Sequence, residues 1–216
     1  MRVRHYDPVM HRIPIAAAAL ALLLAAPAAA QDVPPGLSKD QPISVAGETI
    51  PLSELQHWAG LARLSSGDPR TPRTRAHLEQ AAQLLISYRW IEGEAAALGI
   101  TVSRERVLRS FRRQRRQSFP RRRDYVEFLR DSRQTQRDVV RRVRLDLLSN
   151  RIRDHAIGDT KDPEEQQVRL EAFVQDFRAR WIAATLCTPR FATMELIGCG
   201  NAVRPVPGTA PGSGRW

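Results

Sequence analysis

Ile152-Arg153-Asp154-His155-Ala156-Ile157-Gly158-Asp159-Thr160-Lys161-Asp162-Pro163-Glu164-Glu165 is the stretch whose reading decides the fold. To its left, Thr135 opens a helix over 135–157, with Asp138 at its third position. Val140, Val143, Leu147, Leu148 and Ile152 recur on its inner side every three or four residues. Gly158 stops this helix, because glycine takes the left-handed closing conformation at little cost. Asp162 caps the next helix and Pro163 occupies its first position, where a missing N–H is no loss. Glu164 and Glu165 then face the positive helix end. The second helix runs on towards Cys187 with a stripe of Leu170, Phe173, Val174, Phe177, Trp181 and Ala184. Five residues joining two long helices favour an antiparallel return.

Working back towards the N-terminus, the spacing predicts a helix over 73–98, its apolar face running from Leu78 through Leu85 and Tyr88 to Ala95 and Leu98. Gly99 ends it and Ile100 packs back as the cap's apolar partner. Ser103 caps a helix bearing Val107, Leu108 and Phe111, broken at Phe119-Pro120. A short helix over 121–131 carries Tyr125, Phe128 and Leu129. Earlier still, residues 43–52 read as two short extended pieces about Gly47. Ser53 with Gln56 forms a capping-box signature for a first helix, which carries Leu55, Trp58, Ala59 and Ala62 and breaks at 67–72. The expectation is a mainly α fold: a multi-helix domain over 43–200 with a short N-terminal extended element. Residues 31–42 form a flexible leader and 201–216 a disordered, Pro/Gly-rich tail.

Residues 1–30 read as an export signal. Arg2, Arg4, His5 and Arg12 give a basic start, Ile13–Pro27 an apolar run, and Ala28-Ala29-Ala30 a small-residue cleavage site. The run is ~15 residues, short of the ~20 a spanning helix needs, which sets a retained membrane anchor as the lesser reading. Met10 is an alternative start. Cleavage leaves 186 of the 216 residues at a net charge of +9. Lysine occurs only at Lys39 and Lys161, so the arginine excess is most simply a GC-rich coding bias, though it still draws anionic partners. Export makes nucleic acid the weakest of those partners. Two cysteines in an exported chain, Cys187 and Cys199, imply one disulfide that closes a C-terminal loop. A redox or metal pair is the alternative; the spacing is not CxxC, and no other cysteine or histidine lies nearby in sequence.

The chain lacks the metalloprotease HExxH, the hydrolase GxSxG and the phosphate-cradling GxxxxGK[ST] patterns. No catalytic residue, cofactor or metal is assigned. His57 reads as a surface or packing residue, and Glu92 and Glu94 as a solvated face. The loudest local signal is basic: Arg109, Arg112, Arg113, Arg115 and Arg116, then Arg121, Arg122 and Arg123. Guanidinium forks fit phosphate oxygens, so the run is a candidate site for anionic lipid, wall polymer or acidic polypeptide. A solvated helix face is the competing reading.

The order of these pieces resembles the SurA N-terminal/PrsA-type chaperone domain of exported parvulin-type foldases. "ISVAGETIPLSELQHWAGLA" is similar to the family's opening V-N-G-x-x-I strand and helix, departing from it at Ala46, where asparagine is frequent. "LEQAAQLLISYRWIEGEAAALGITVSRERVLRSF" resembles its long helix and E-A-x-x-x-G-I-x-V-S connection. "FLRDSRQTQRDVVRRVRLDLLSNRI" resembles its return helix, and "FRARWIAATLC" with "GC" the cysteine-closed end of a subset. The family usually inserts a parvulin isomerase domain between the fifth and sixth helices. Five residues stand there in this chain, and extended they span at most ~18 Å, too little for a catalytic domain. The resemblance therefore implies an exported chaperone that binds unfolded or nascent secreted polypeptides without catalysis. Trp58, Tyr88 and Trp90 are the candidate client contacts. Peptidyl-prolyl isomerase activity is the first alternative, and an arginine-rich module for anionic envelope material the second.

Overall fold

The computed structural model describes residues 37–65, 72–194, 196, 198 and 199. The expected export signal (1–30), the start of the leader (31–36) and the tail (201–216) lie outside the described residues. The element order is β1 (Ile43–Val45), β2 (Glu48–Ile50), α1 (Leu52–Ser65), α2 (Arg75–Ala97), α3 (Arg104–Ser118), α4 (Arg122–Ser132) and α5 (Gln136–Ile157). There follow α6 (Pro163–Ala183), β3 (Thr185–Cys187) and the short α7 (Pro189–Ala192). The fold is mainly helical, with a small sheet and a disulfide near its C-terminal end, as the patterning predicts.

β1 and β2 form an antiparallel hairpin in which Ile43 faces Ile50 and Val45 faces Glu48. Its two-residue turn is Ala46-Gly47, both at positive φ (49° and 86°). Such a turn matches the strand twist, and asparagine tolerates its first position better than alanine does. The third strand departs from expectation. The sixth helix ends at Ala183 instead of continuing to Cys187, and Thr185-Leu186-Cys187 pairs antiparallel with β1, giving the order β2-β1-β3. Thr185 and Cys187 are buried while Leu186 is half-buried, the two-residue alternation of a strand.

Two further differences concern the start of the domain. Residues 37–42 are fixed. Ser38 and Gln41 exchange backbone hydrogen bonds of 3.1 and 3.3 Å, and the Asp40 carbonyl accepts from the Leu52 N–H at 2.8 Å. α1 begins two residues earlier than its capping-box signature: the N–H groups of Glu54 and Leu55 go to the Pro51 carbonyl, which makes Ser53 a first-turn residue.

The other boundaries follow the cap chemistry. Asp138 and Thr135 satisfy one another's backbone N–H groups at the start of α5 (3.2 and 2.8 Å). At the end of α2, Ile100 N–H reaches the Ala95 carbonyl and Gly99 N–H the Ala96 carbonyl, a Schellman closure with Gly99 at φ 66°. The α5–α6 turn is stitched throughout. Gly158 sits at φ 64°, Asp162 Oδ1 accepts from Glu164 N–H at 3.0 Å, and the Gln166 amide donates to the Thr160 carbonyl at 2.8 Å.

The core has three parts. The largest joins the sheet to α1, α2 and α7 around Ile43, Ile50, Leu55, Leu85, Ile86 and Phe191. A second packs α3 and α4 on the start of α5 through Val107, Phe111, Tyr125 and Val143. A third, Ala95, Leu148 and Ile152, is where Phe173 of α6 meets α2 and α5. The Cys187–Cys199 disulfide (S–S 2.04 Å) locks β3 to the segment that follows α7. Closing a loop of this length stabilises the fold by about 3 kcal/mol in the chain-entropy account.

Candidate functional site

The three aromatics expected at a client surface belong to the core. Trp58, Tyr88 and Trp90 are 3, 8 and 4 % exposed. Trp58 meets Tyr88 edge-on at 5.7 Å between α1 and α2, with Arg142 over the Trp58 ring and Arg141 over the Tyr88 ring, each at 5.2 Å. Burial pushes the Tyr88 phenol above its ordinary value, against the opposing pull of Arg142. Trp90 Nε1 donates to Thr185 Oγ1 at 2.9 Å, deep under β3. Their three- and four-residue spacing with Leu85 and Ile86 places Tyr88 and Trp90 among the buried positions of α2, where no client reaches them.

Glu94 overturns the solvated-face reading. It is fully buried, and its two oxygens accept from Arg180 Nη2 at 3.0 Å and Trp181 Nε1 at 2.7 Å. The Trp181 carbonyl in turn accepts from the Thr185 hydroxyl at 2.6 Å, which ties α2, α6 and β3 into one polar network. Glu92 is partly buried and paired with Arg144 at 2.9 Å and Arg89 at 3.4 Å. Both carboxylates are structural.

His57 places Nε2 3.2 Å from Asp138 Oδ2. Burial alone would raise the Asp138 carboxyl. Hydrogen bonds from the Thr135 N–H and hydroxyl, with His57 beside it, hold it below the usual carboxylate value. The pair completes the α5 cap. Among the described residues no group of three or more His, Cys, Asp or Glu side chains is placed to hold a metal ion, and no helix is long and apolar enough to cross a membrane.

Two open clefts flank α1. The first, about 300 Å³, lies over His57, Gly60, Leu61 and Leu64 and is rimmed by Arg63, Arg73 and Arg133. The second, about 450 Å³, has Leu52, Ala59, Pro72 and Leu78 as its apolar wall and Arg73, Arg75 and Arg190 at its edge. Gln56 and Arg73 line both, and Arg73 Nη1 donates to the Gln56 carbonyl at 3.3 Å where the two clefts adjoin. Among the described residues neither lining includes a carboxylate. Arg133 reaches its place from a left-handed backbone (φ 52°) at the end of α4, a conformation rare outside glycine and asparagine. Five arginines over leucine and alanine thus border a surface suited to apolar side chains interspersed with carboxylates. Sequence spacing does not reveal it, because Arg73, Arg133 and Arg190 come together only through tertiary packing. A local hint exists in Leu64, a partly exposed leucine near the end of a helix whose core face is already carried by Leu55, Trp58, Ala59 and Leu61.

The arginine run is exposed, as expected for either of its readings. Arg112, Arg113 and Arg116 of α3 and Arg122 of α4 point outward without an ion-pair partner among the described residues. Arg115 is partly buried, 6.0 Å from the Tyr125 ring centre. Arg121 and Arg123 both pair with Asp124, at 3.2 and 3.5 Å. Comparison with family models, with curated proteins and with solved structures finds no match to this chain.

Proposed function

We propose that this chain is an exported, non-catalytic chaperone that holds unfolded or nascent secreted polypeptides, and that the paired clefts across α1 are where they lie. The observation that carries the reading is the apolar-walled groove, lined by no carboxylate among the described residues and rimmed by Arg63, Arg73, Arg133, Arg190 and Arg75, the last paired with Glu79 at 2.9 Å. An extended client seats apolar side chains against Leu64 on one side of Arg73 and against Leu52 and Leu78 on the other, while its carboxylates meet guanidinium groups. Two or three seated side chains give roughly 4–8 kcal/mol before the cost of ordering the client. What survives is weak and fast-exchanging binding, which suits holding and release without a nucleotide. The order of pieces shared with SurA N-terminal/PrsA-type domains supports the same reading. Prolyl isomerisation has no part in it, because the family's catalytic domain would stand where Gly158–Asp162 forms a five-residue turn with its own stop and start signals.

The test is suppression of aggregation of a reduced, unfolded secreted protein. The chain is expected to suppress at several-fold excess, and the Arg73→Glu/Arg133→Glu variant to lose most of that effect while unfolding at the same temperature. No suppression by the parent chain would sink the proposal. A variant that suppresses as well as the parent would move the client surface away from α1.

A further inference from the structure

α3 carries Arg109, Arg112, Arg113 and Arg116 at i, i+3, i+4 and i+7, a spacing that confines them to about 100° of helix surface. Val107 and Phe111, buried against α4 and α5, occupy the opposite side. Arg109 and Arg116 each stand three or four residues from both Arg112 and Arg113, and each of these like-charge pairs destabilises the helix. α3 keeps the arrangement because its apolar underside is anchored, with Glu105 as the acidic residue in its first turn. A helix built this way gains wherever an anionic surface neutralises the stripe.

α4 shows which kind of anionic surface. Val126 is 53 % exposed, with Arg122 and Arg130 four residues to either side and Arg123 three before it; Arg122 has no ion-pair partner among the described residues, while Arg123 and Arg130 pair with Asp124 and Asp131. A soluble polyanion offers guanidinium groups everything and the valine nothing. The face of an anionic bilayer offers both, phosphate oxygens in the headgroup layer and acyl chain just beneath. We propose that the outer face of the α3–α4 pair docks on anionic phospholipid bilayers, Arg109, Arg112, Arg113 and Arg116 engaging headgroup phosphates and Val126 entering the interface. The surface is separate from the α1 groove, so client holding and membrane docking can fail independently.

The experiment is flotation of the full chain with vesicles of equal parts phosphatidylglycerol and phosphatidylcholine, against vesicles of phosphatidylcholine alone. Binding is expected to the anionic vesicles only and to weaken as salt is raised. Replacing all four α3 arginines by glutamine should lower partitioning by about 100-fold or more. Replacing them by lysine should keep most of it. Relief of like-charge repulsion means that the glutamine variant should unfold at or above the parent's temperature, which excludes misfolding as the cause of lost binding. Val126→Ser should weaken vesicle binding several-fold and leave binding to soluble polyphosphate unchanged. Equal vesicle binding by the glutamine variant, or indifference of vesicle binding to Val126→Ser, would overturn the proposal, the second in favour of a soluble-polyanion site.

Discussion

α2 and α6 are nearly equal in length, 23 and 21 residues, and both carry apolar side chains at helical spacing. α2 buries nine residues and α6 none. The contrast lies in their neighbours. α2 is covered by α1 on one side and α5 on another, with β1 across it, whereas α6 lies chiefly along α5 and meets α2 and β3 through one edge and its C-terminal turn. Phe173 and Phe177 reach the core from one edge, and Val168 and Val174 stay 65 and 41 % exposed. A periodic stripe shows which side of a helix turns inward. How far it is buried depends on how many elements arrive to cover it. α6 is therefore fastened mainly at its ends, by the stitched turn at 158–162 and by Trp181 and Arg180 on Glu94.

That contrast can be broken at its fastening. Glu94→Ala strands the Trp181 N–H, while the half-exposed Arg180 guanidinium returns to water, and a loss of about 1–3 kcal/mol is expected by chemical denaturation. A loss under about 1 kcal/mol would mean that α6 is held elsewhere. Gly93 is the next weak point: a Cβ there would run into Cη2 of the Trp181 ring. Gly93→Ala should cost about 1–3 kcal/mol by overpacking and change Trp181 emission, leaving hydrogen-exchange protection in the middle of α2 intact.

The supporting helix α5 can be loosened more gently. Asp138 has a lowered folded-state pKa, so its contribution is present above the unfolded value and lost as pH falls through the folded one. Asp138→Asn should cost about 1 kcal/mol near neutral pH and flatten the acid limb of the stability curve. An acid limb identical to the parent's would show that the cap is not what titrates. The smallest effect sharpens the contrast: Val168→Gln on exposed α6 should shift stability by no more than about 0.5 kcal/mol, while Ile86→Ala on buried α2 should cost about 2–5 kcal/mol.

Much of this architecture is legible in single residues. Thr135 with Asp138, Gly99 with Ile100 and Gly158 with Asp162-Pro163 each announce a helix end through local hydrogen-bond needs, and each boundary falls within two residues of where they place it. The hairpin about Gly47 and the Cys187–Cys199 pair are equally local or combinatorially simple. β3 was hidden because three residues at the end of a helical stripe become a strand only when β1 is there to receive them. The same holds for Glu94, whose charge reads as solvent-facing until Arg180 and Trp181 arrive from more than eighty positions away. The α1 groove is less legible still, since its rim is gathered from α1, the start of α2, the α4–α5 turn and α7.

The sheet order has a consequence for when this fold can exist. Ile43 pairs with Ile50 on one side and with Cys187, 144 positions later, on the other. A chain that emerges N-terminus first can close the hairpin at once, but its middle strand keeps an open edge until the last helix has returned. Such distant pairing slows the final step and ties completion to the far end of the chain. Any truncation before Thr185 would leave β1 an unfilled edge, itself a template for another strand.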